Sequence, residues 1–530
     1  MILVALSAVI LPMILLGVLN LPATKGMSIS AVVVMILGVI FWKMHTKILI
    51  ASVLQAIHKS LPIIWILFGA LVMLKTLEHT GAITRINIGF EKLSSDMRVQ
   101  TILIAYLFGG LIEGVSGFGT PAMVTAPLMI ALGFSPMSSV TLALVADSTP
   151  AAFGAVGTPL TVGLSNVNDS TNFLNSVGQS LTQIDLFAGS LMPTMLIFLL
   201  VFLFGKNKEP KIKYWLEFLP WTLFLGICYS LIALLSAKLI GYEFVSILSP
   251  FTTIIIAIIT IKIKLLIPKS SLSDPWTMKQ KNNTSAEASD MSLFKAWSPY
   301  IIVVIMLLLS RVIKPLKAFL TTFLNLSWRN ILGIKNLNSD WEFMYSPGTL
   351  LTIAVILGLL IQVKSIKSFI PTGITVIKSM KSTALALIVT LIMVQLFTNS
   401  NYNSAHLLSM PMYIASFVSK YFSKGWIFVA PFLGALGSFV TGSATVSTLT
   451  FGQIQSDIAN NANISKQIVL SAHLIGAAAG NMICVHNIVA VSSLVGMSGK
   501  EGAILRKTLT PSLLYCLLVG IVGFVFISIL

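Results

Sequence analysis

Three ionisable residues lie in stretches otherwise made of apolar and small side chains: Glu113 in FGGLIEGVSGFGTPAMVTAP, Asp147 in LALVADSTPAAFGAVGTP and His473 in SAHLIGAAAG. A group of this kind is costly to bury among apolar residues and normally faces a cavity, a partner or a proton path. Glu113, Asp147 and His473 are therefore the candidates for proton coupling. Around Glu113 the glycines 109, 110, 114, 117 and 119 let the backbone turn and let a ligand approach closely. Ser116 and Thr120 add hydroxyls, and free N–H groups at a turn leading into a helix suit a small anion. Ser116, Gly117 and Thr120 are thus candidates for substrate binding. Each residue also has a purely architectural account. Glu113 would brace its turn, Asp147 would cap the turn before Pro150, and His473 would be a hydrogen-bonded core residue. His486 carries less weight, because no residue of the first motif answers it.

A second stretch, SFVTGSATVSTLTFGQ (438–453), is almost pure hydroxyl chemistry. Placement at a tip favours Thr441, Gly442, Ser443 and Thr445, although Ser and Thr are also common packing residues between membrane helices. Asn481 completes the set expected to hold a carboxylate and a hydroxyl. No HExxH, GxSxG or paired aspartates occur, which argues against an intramembrane enzyme. Cys228, Cys484 and Cys516 are too scattered for a metal site or a disulfide framework. Neither cofactor nor metal is expected.

These residues need elements to position them, and composition says which. Of 530 residues 56% are hydrophobic and 10% charged, against ~25% charged in an ordinary soluble domain. That excludes a soluble globule and a disordered chain, and implies an all-α polytopic membrane protein. Lys and Arg number 34 against 17 Asp and Glu, a formal charge of +17. They form short runs between apolar stretches, such as Lys206, Lys208, Lys211 and Lys213, or Lys364, Lys367, Lys378 and Lys381. Such runs mark cytoplasmic loops facing anionic headgroups, so no nucleic-acid partner is expected. Apolar segments near 2–20, 27–42, 61–77, 137–160, 186–205, 215–240, 243–267, 296–318, 346–363, 383–397, 467–495 and 508–530 predict ~12 spans. Two Gly/Ser/Thr-rich stretches, 101–134 and 426–455, read as re-entrant hairpins.

The polar segment 269–292 is a cytoplasmic linker between two halves, 1–268 and 293–530. The stretch 161–185 holds Asp169 and Asp185 but no Lys or Arg, and is expected outside. Residues 43–60, with Lys43, Lys47 and Lys59, fall outside on this count and disagree with the alternation. An interfacial amphipathic helix would explain them, and their orientation stays open. GGLIEGVSGFGT (109–120) lines up with GALGSFVTGSAT (434–445), and VADSTPAAFG (145–154) with SAHLIGAAAG (471–480). The order is kept and the predicted orientations are opposite, as in transporters built from inverted repeats. In this register Asp147 and His473 occupy equivalent positions and are expected to face each other.

FGGLIEGVSGFGTPAMVTAPLMIALGFSP followed by ADSTPAAFGAVGTP resembles the lactate permease family of bacterial monocarboxylate transporters. FLGALGSFVTGSATVSTLTFG and GNMICVHNIVAVSSLVGMSGKEG resemble that family's second hairpin and the helix after it. The resemblance implies a multi-pass permease of the cytoplasmic membrane that takes up L-lactate, with D-lactate and glycolate as further substrates, coupled to protons. By wider analogy it implies an elevator-type fold. Four positions depart from the family pattern. Ala444 stands where members carry Asp, Asn481 where they carry Lys, and Asp147 and His473 where they carry Asn.

The combined expectation is a proton-coupled symporter of a small monocarboxylate, most of all lactate, whose partners are substrate, protons and the lipid bilayer. A homodimer is one allowed assembly. The alternatives are a transporter of another small organic anion, or an anion channel.

Overall fold

The computed structural model describes residues 1–529 apart from 118, 166, 169, 206–209, 269–275, 277–290, 364–368 and 423–424. Asp169, Lys206, Lys208, Lys364, Lys367 and nearly all of the linker 269–292 lie outside the described residues. Among the described residues the fold is all α, with three isolated β-bridges and no strand. Among the described residues nine helices are long and apolar enough to cross a membrane, or up to 11 if each of two bent pairs is one span. This differs from the ~12 spans expected from hydropathy. The segment 2–20 turns π-helical over Met13–Val18, and 346–363 shortens to a helix of 15 residues.

The helices that position the site are, in chain order, α1 Ala23–Ile40, α2 Thr46–Thr80, α3 Met97–Val115, α4 Thr120–Ala131, α5 Pro136–Ala151 and α6 Gly154–Thr161. Then come α7 Thr171–Phe187, α8 Gly189–Phe204, α9 Lys211–Leu239 and α10 Tyr242–Ile263. The second half contributes α11 Pro347–Ile361, α12 Lys381–Thr398, α13 Trp426–Thr441, α14 Ala444–Asn461, α15 Lys466–Gly480, α16 Val485–Leu494 and α17 Glu501–Ile529.

Helix α2 has 35 residues, about 52 Å at ~1.5 Å per residue, well beyond the ~30 Å of hydrocarbon. The stretch 43–60, which an interfacial helix would explain, instead runs from Thr46 into a span as one continuous helix. Its polar residues are held where it projects. Gln55 donates to the Asn338 carbonyl at 2.7 Å, His58 Nδ1 lies 2.8 Å from Ser339 Oγ, and Lys59 donates to Gln395 at 3.1 Å.

The two glycine-rich stretches are both helical hairpins, α3–α4 and α13–α14. Gly117 and Gly442 stand at their tips with φ of +68° and +69°, a left-handed backbone that a β-carbon disfavours. The root of α3 is pinned firmly. Asp96 caps it, Arg98 pairs with Asp96 at 2.7 Å and lies 4.3 Å over the Phe218 ring, and Met97 N–H donates to the Trp276 carbonyl.

A broken span follows each hairpin. Helices α5 and α6 meet at 56°, with Ala155 and Val156 at positive φ, a strained backbone that only surrounding structure can hold. The second break falls between α15 and α16, over 481–484. Helices α1 and α2 of the first half pack on α12 of the second, and α2 also packs on α11.

The expected external loop 161–185 is a helix from residue 171 onward. Leu174, Val177, Leu181 and Ile184 recur along α7 at helical spacing and are buried. Asp185 is therefore a buried acid inside the bundle and not a loop residue.

Candidate functional site

The hairpin tips meet around a cavity lined by Glu113, Gly117, Ala151, Gly154, Ala155, Thr158, Pro159, Gly442, Ser443, Ala444, Thr445 and Asn481. Six residues singled out from the sequence share this lining: Glu113, Gly117, Gly442, Ser443, Thr445 and Asn481. The cavity measures about 20 Å³, room for roughly one water. A three-carbon acid fits only when the tips part. Glu113 is its one acidic lining residue, and no Lys, Arg or His lines it among the described residues.

The side chain of Glu113 crosses from α3 to the kink of the next span. A β-carbon on Gly154 would collide with Glu113 Oε1, so the glycine at the break makes room for the carboxyl. Behind it the carboxyl of Asp147 adjoins that of Glu113. Glu113 Oε2 and Asp147 Oδ1 are both buried and have no other partner among the described residues. Two carboxyls in contact away from water can hold one proton between them, because that removes their mutual repulsion.

In the second hairpin Ser443 Oγ accepts from Val446 N–H at 3.3 Å and caps α14. The helix N-terminus is thereby aimed at the cavity, with Ala444 and Thr445 on its wall, a geometry suited to a carboxylate. Asn481, at the break after α15, leaves its Oδ1 buried and unpaired there. Thr441 bonds back to the Gly437 carbonyl at 2.8 Å, and Ser116 and Thr120 are buried behind the first tip, so these three hydroxyls do not line the cavity.

His473, on α15, is tied to the hairpin of its own half. Trp426 donates to the Gln455 amide oxygen, and the Gln455 nitrogen donates to His473 Nδ1 at 2.9 Å. The segment 148–151 does pack on α15, so the two broken spans touch. Asp147 nevertheless goes to Glu113 and His473 to Gln455, and the expected facing pair does not form.

Two neighbours of the tips were undervalued by the sequence: His486, given less weight above, and Asn487, not singled out at all. A β-carbon on Gly442 would fall on the His486 ring, and one on Gly119 would lie 2.7 Å from Asn487 Oδ1. Adjacent residues at the start of α16 thus touch both tips. Nothing local in the sequence signals this, because the tips lie far from α16 along the chain. Thr158 was also missed. It lines the cavity while its hydroxyl donates to the Ala155 carbonyl at the strained kink.

A family model described as L-lactate permease matches residues 1–530. The chain belongs to the L-lactate permease family. Among its relatives, the L-lactate permease of Bacillus subtilis is 27% identical, covering 94% of this chain and 91% of the relative. The glycolate permease of Escherichia coli is 26% identical over 98% and 94%. The L-lactate permease of Salmonella typhi is 26% identical over 95% and 92%. Membership of the L-lactate permease family, together with the apolar helices, makes this a multi-pass transport protein of the cell membrane.

Proposed function

We propose that the chain is a proton-coupled secondary transporter of small 2-hydroxy monocarboxylates, lactate foremost and glycolate with it. The observation that carries this reading is the lining of the cavity, which has one acid, an adjoining second acid and no base. A carboxylate substrate beside Glu113 is repelled unless the pair holds a proton, so proton and anion must load together. The capped start of α14, the Ser443 hydroxyl and Asn481 would take the substrate carboxylate and its 2-hydroxyl. Relatives named for lactate and for glycolate support the substrate class.

The transport cycle proposed is alternating access by two inverted repeats, elevator-like, the tips parting toward one face at a time. Support comes from the matching positions. Gly117 and Gly442 share a left-handed φ, and the helix is interrupted beside each of the aligned glycines 154 and 480. The flanking helices also pack crosswise, α1 on α12 and α2 on α11. The division at 269–292 and the cytoplasmic placement of that segment belong to the same proposal.

The test is counterflow of labelled L-lactate in proteoliposomes, competed with glycolate, pyruvate and acetate, with and without an imposed pH gradient. Saturable exchange and gradient-driven accumulation are expected. Accumulation indifferent to the pH gradient would overturn the coupling, and linear, unsaturable flux would favour an anion channel.

A further inference from the structure

Asp185 is a further buried acid, away from the cavity, and the transport reading above gives it no task. It stands where α7 bends by 43° into α8. Gly189 at that bend leaves room for it, since a β-carbon there would lie 3.0 Å from the Asp185 carboxyl. Five elements bring polar groups to this point. Tyr515 of α17 donates its hydroxyl to Asp185 Oδ1 at 2.7 Å. Thr149, two residues after Asp147, stands beside the hydroxyls of Tyr515 and of Tyr106 on α3. Tyr229 of α9 packs its ring 5.1 Å from that of Tyr106 and lies within electrostatic range of both Asp185 and Glu113.

The hydroxyls of Tyr106 and Thr149, like Glu113 Oε2 and Asp147 Oδ1, are buried without a closed hydrogen bond among the described residues. A buried polar atom left unpaired is costly. The Tyr106 and Thr149 hydroxyls stand between Asp185 and the Glu113–Asp147 pair, and together with the unpaired oxygens of that pair they mark a path whose members pair only when something passes. Among the described residues no Lys, Arg or His forms an ion pair with Asp185.

We propose that Asp185, with Tyr515, Thr149, Tyr106 and Tyr229, is a second proton-holding site that exchanges protons with the Glu113–Asp147 pair. Each hydroxyl can accept a proton on a lone pair while releasing its own to the next group, so one proton leaves Asp185 for each that arrives at Asp147. This relay rests on the proton-coupled reading. It adds that the coupling proton reaches the cavity through the bundle behind Asp147 and not along the substrate's route.

The experiment uses the full chain in proteoliposomes with L-lactate as probe. It compares wild type, Asp185→Asn, Tyr515→Phe and, as reference, Glu113→Gln. One proton per substrate sustains about tenfold accumulation for a pH difference of about one unit. Asp185→Asn should bring accumulation close to equality while exchange without a gradient falls in much smaller proportion. Tyr515→Phe should slow gradient-driven uptake and displace its pH profile. The relay is overturned if both variants accumulate with the wild-type pH profile. It is equally overturned if they lose exchange and accumulation in one proportion with the profile unmoved, because that is loss of structure alone. If Glu113→Gln uncouples and the other variants do not, only the relay falls. If wild type itself ignores the pH gradient, the coupling reading falls and the relay with it. Should Asp185→Asn not assemble as judged by size-exclusion chromatography, Tyr515→Phe and Thr149→Val carry the same comparison.

Discussion

The two hairpins share a frame and differ in chemistry. In the first, residue 113 of the inner arm lies against Gly154 of the following span. In the second, the aligned residue 438 lies against Gly480, where a β-carbon would come within 2.8 Å of Ser438 Cβ. The same joint carries an acid in one copy and a hydroxyl in the other. The residue behind it differs in the same sense. Asp147 adds a second carboxyl to Glu113, whereas His473 turns away to Gln455. In the proposed reading the difference divides the labour: the carboxyls gather at the first joint to hold the proton, and the second hairpin offers a capped helix terminus and neutral hydroxyls to the substrate. A proton and a carboxylate can then occupy neighbouring sites without competing for one group.

The sharpest way to break this comparison is to neutralise each joint in turn. Glu113→Gln should abolish pH-gradient-driven accumulation, whereas Ser438→Ala, at the matching position, should leave the gradient response in place. Asp147→Asn should impair accumulation as well. The double variant Glu113→Gln/Asp147→Asn should be no worse than the poorer single one, a non-additivity of about 0.5–3 kcal/mol expected for groups in contact. Uptake into proteoliposomes at imposed pH gradients measures all four. Normal accumulation by Glu113→Gln would remove the acid joint from the coupling.

The glycines opposite the joints give the next largest effect, and here the two copies should fail differently. At Gly480 an added methyl meets the Ala435 carbonyl, which is backbone and cannot step aside. Gly480→Ala should force α13 and α15 apart and lower stability by about 1–3 kcal/mol, as overpacking does. At Gly154 the obstacle is the end of the Glu113 side chain, which can rotate. Gly154→Ala should therefore assemble but transport with a disturbed pH dependence. Thermal melting in detergent, set beside pH-dependent uptake, separates the two. Equal loss of stability in both would mean that the acid joint is as rigid as the neutral one.

Much of this was legible beforehand, for identifiable reasons. Glycines flanking a lone acid in an apolar run mark a hairpin and its carboxyl wherever the tertiary contacts fall, so Glu113, Gly117, Gly442 and Ser443 were within reach. Asp185 was not. The Asn, Ser and Gln residues of α7 lower its hydropathy, and a segment with acids but no base reads as a loop. The signal present was the spacing of Leu174, Val177, Leu181 and Ile184. Partners also escaped. An alignment of the repeats says which residues are equivalent, not which ones touch, and the equivalence of Asp147 with His473 was taken for a contact. The approach of His486 to Gly442 and of Asn487 to Gly119 depends on how the chain folds back, which residue types alone do not encode.

A smaller effect is expected at His473. His473→Phe would leave the Gln455 amide nitrogen with only its longer bond to the Ala430 carbonyl, and loss of a buried hydrogen bond costs about 1–3 kcal/mol. The melting temperature in detergent should fall while the pH dependence of uptake keeps its wild-type form. A displaced pH profile at undiminished stability would return His473 to the coupling machinery and erase the contrast between the hairpins.

The smallest effect is expected at Ser443, where one hydroxyl has two tasks on the neutral side of the comparison. As the cap of α14 it accepts from Val446 N–H, and as a wall of the cavity it is offered to the substrate. Ser443→Ala removes both, at a cost of about 1 kcal/mol for the cap alone. The KM for lactate should rise by up to about tenfold, the change that ~1.4 kcal/mol of binding produces. Ser443→Gly separates the tasks, since glycine replaces a capping serine at a cost of only a few tenths of a kcal/mol. If the hydroxyl touches substrate, the Gly variant should melt nearly as wild type yet keep the raised KM of the Ala variant. If Ser443 only caps the helix, stability and KM should both recover together in Ser443→Gly, and the recognition of the substrate carboxylate then rests on the N–H groups at the start of α14 and on Asn481.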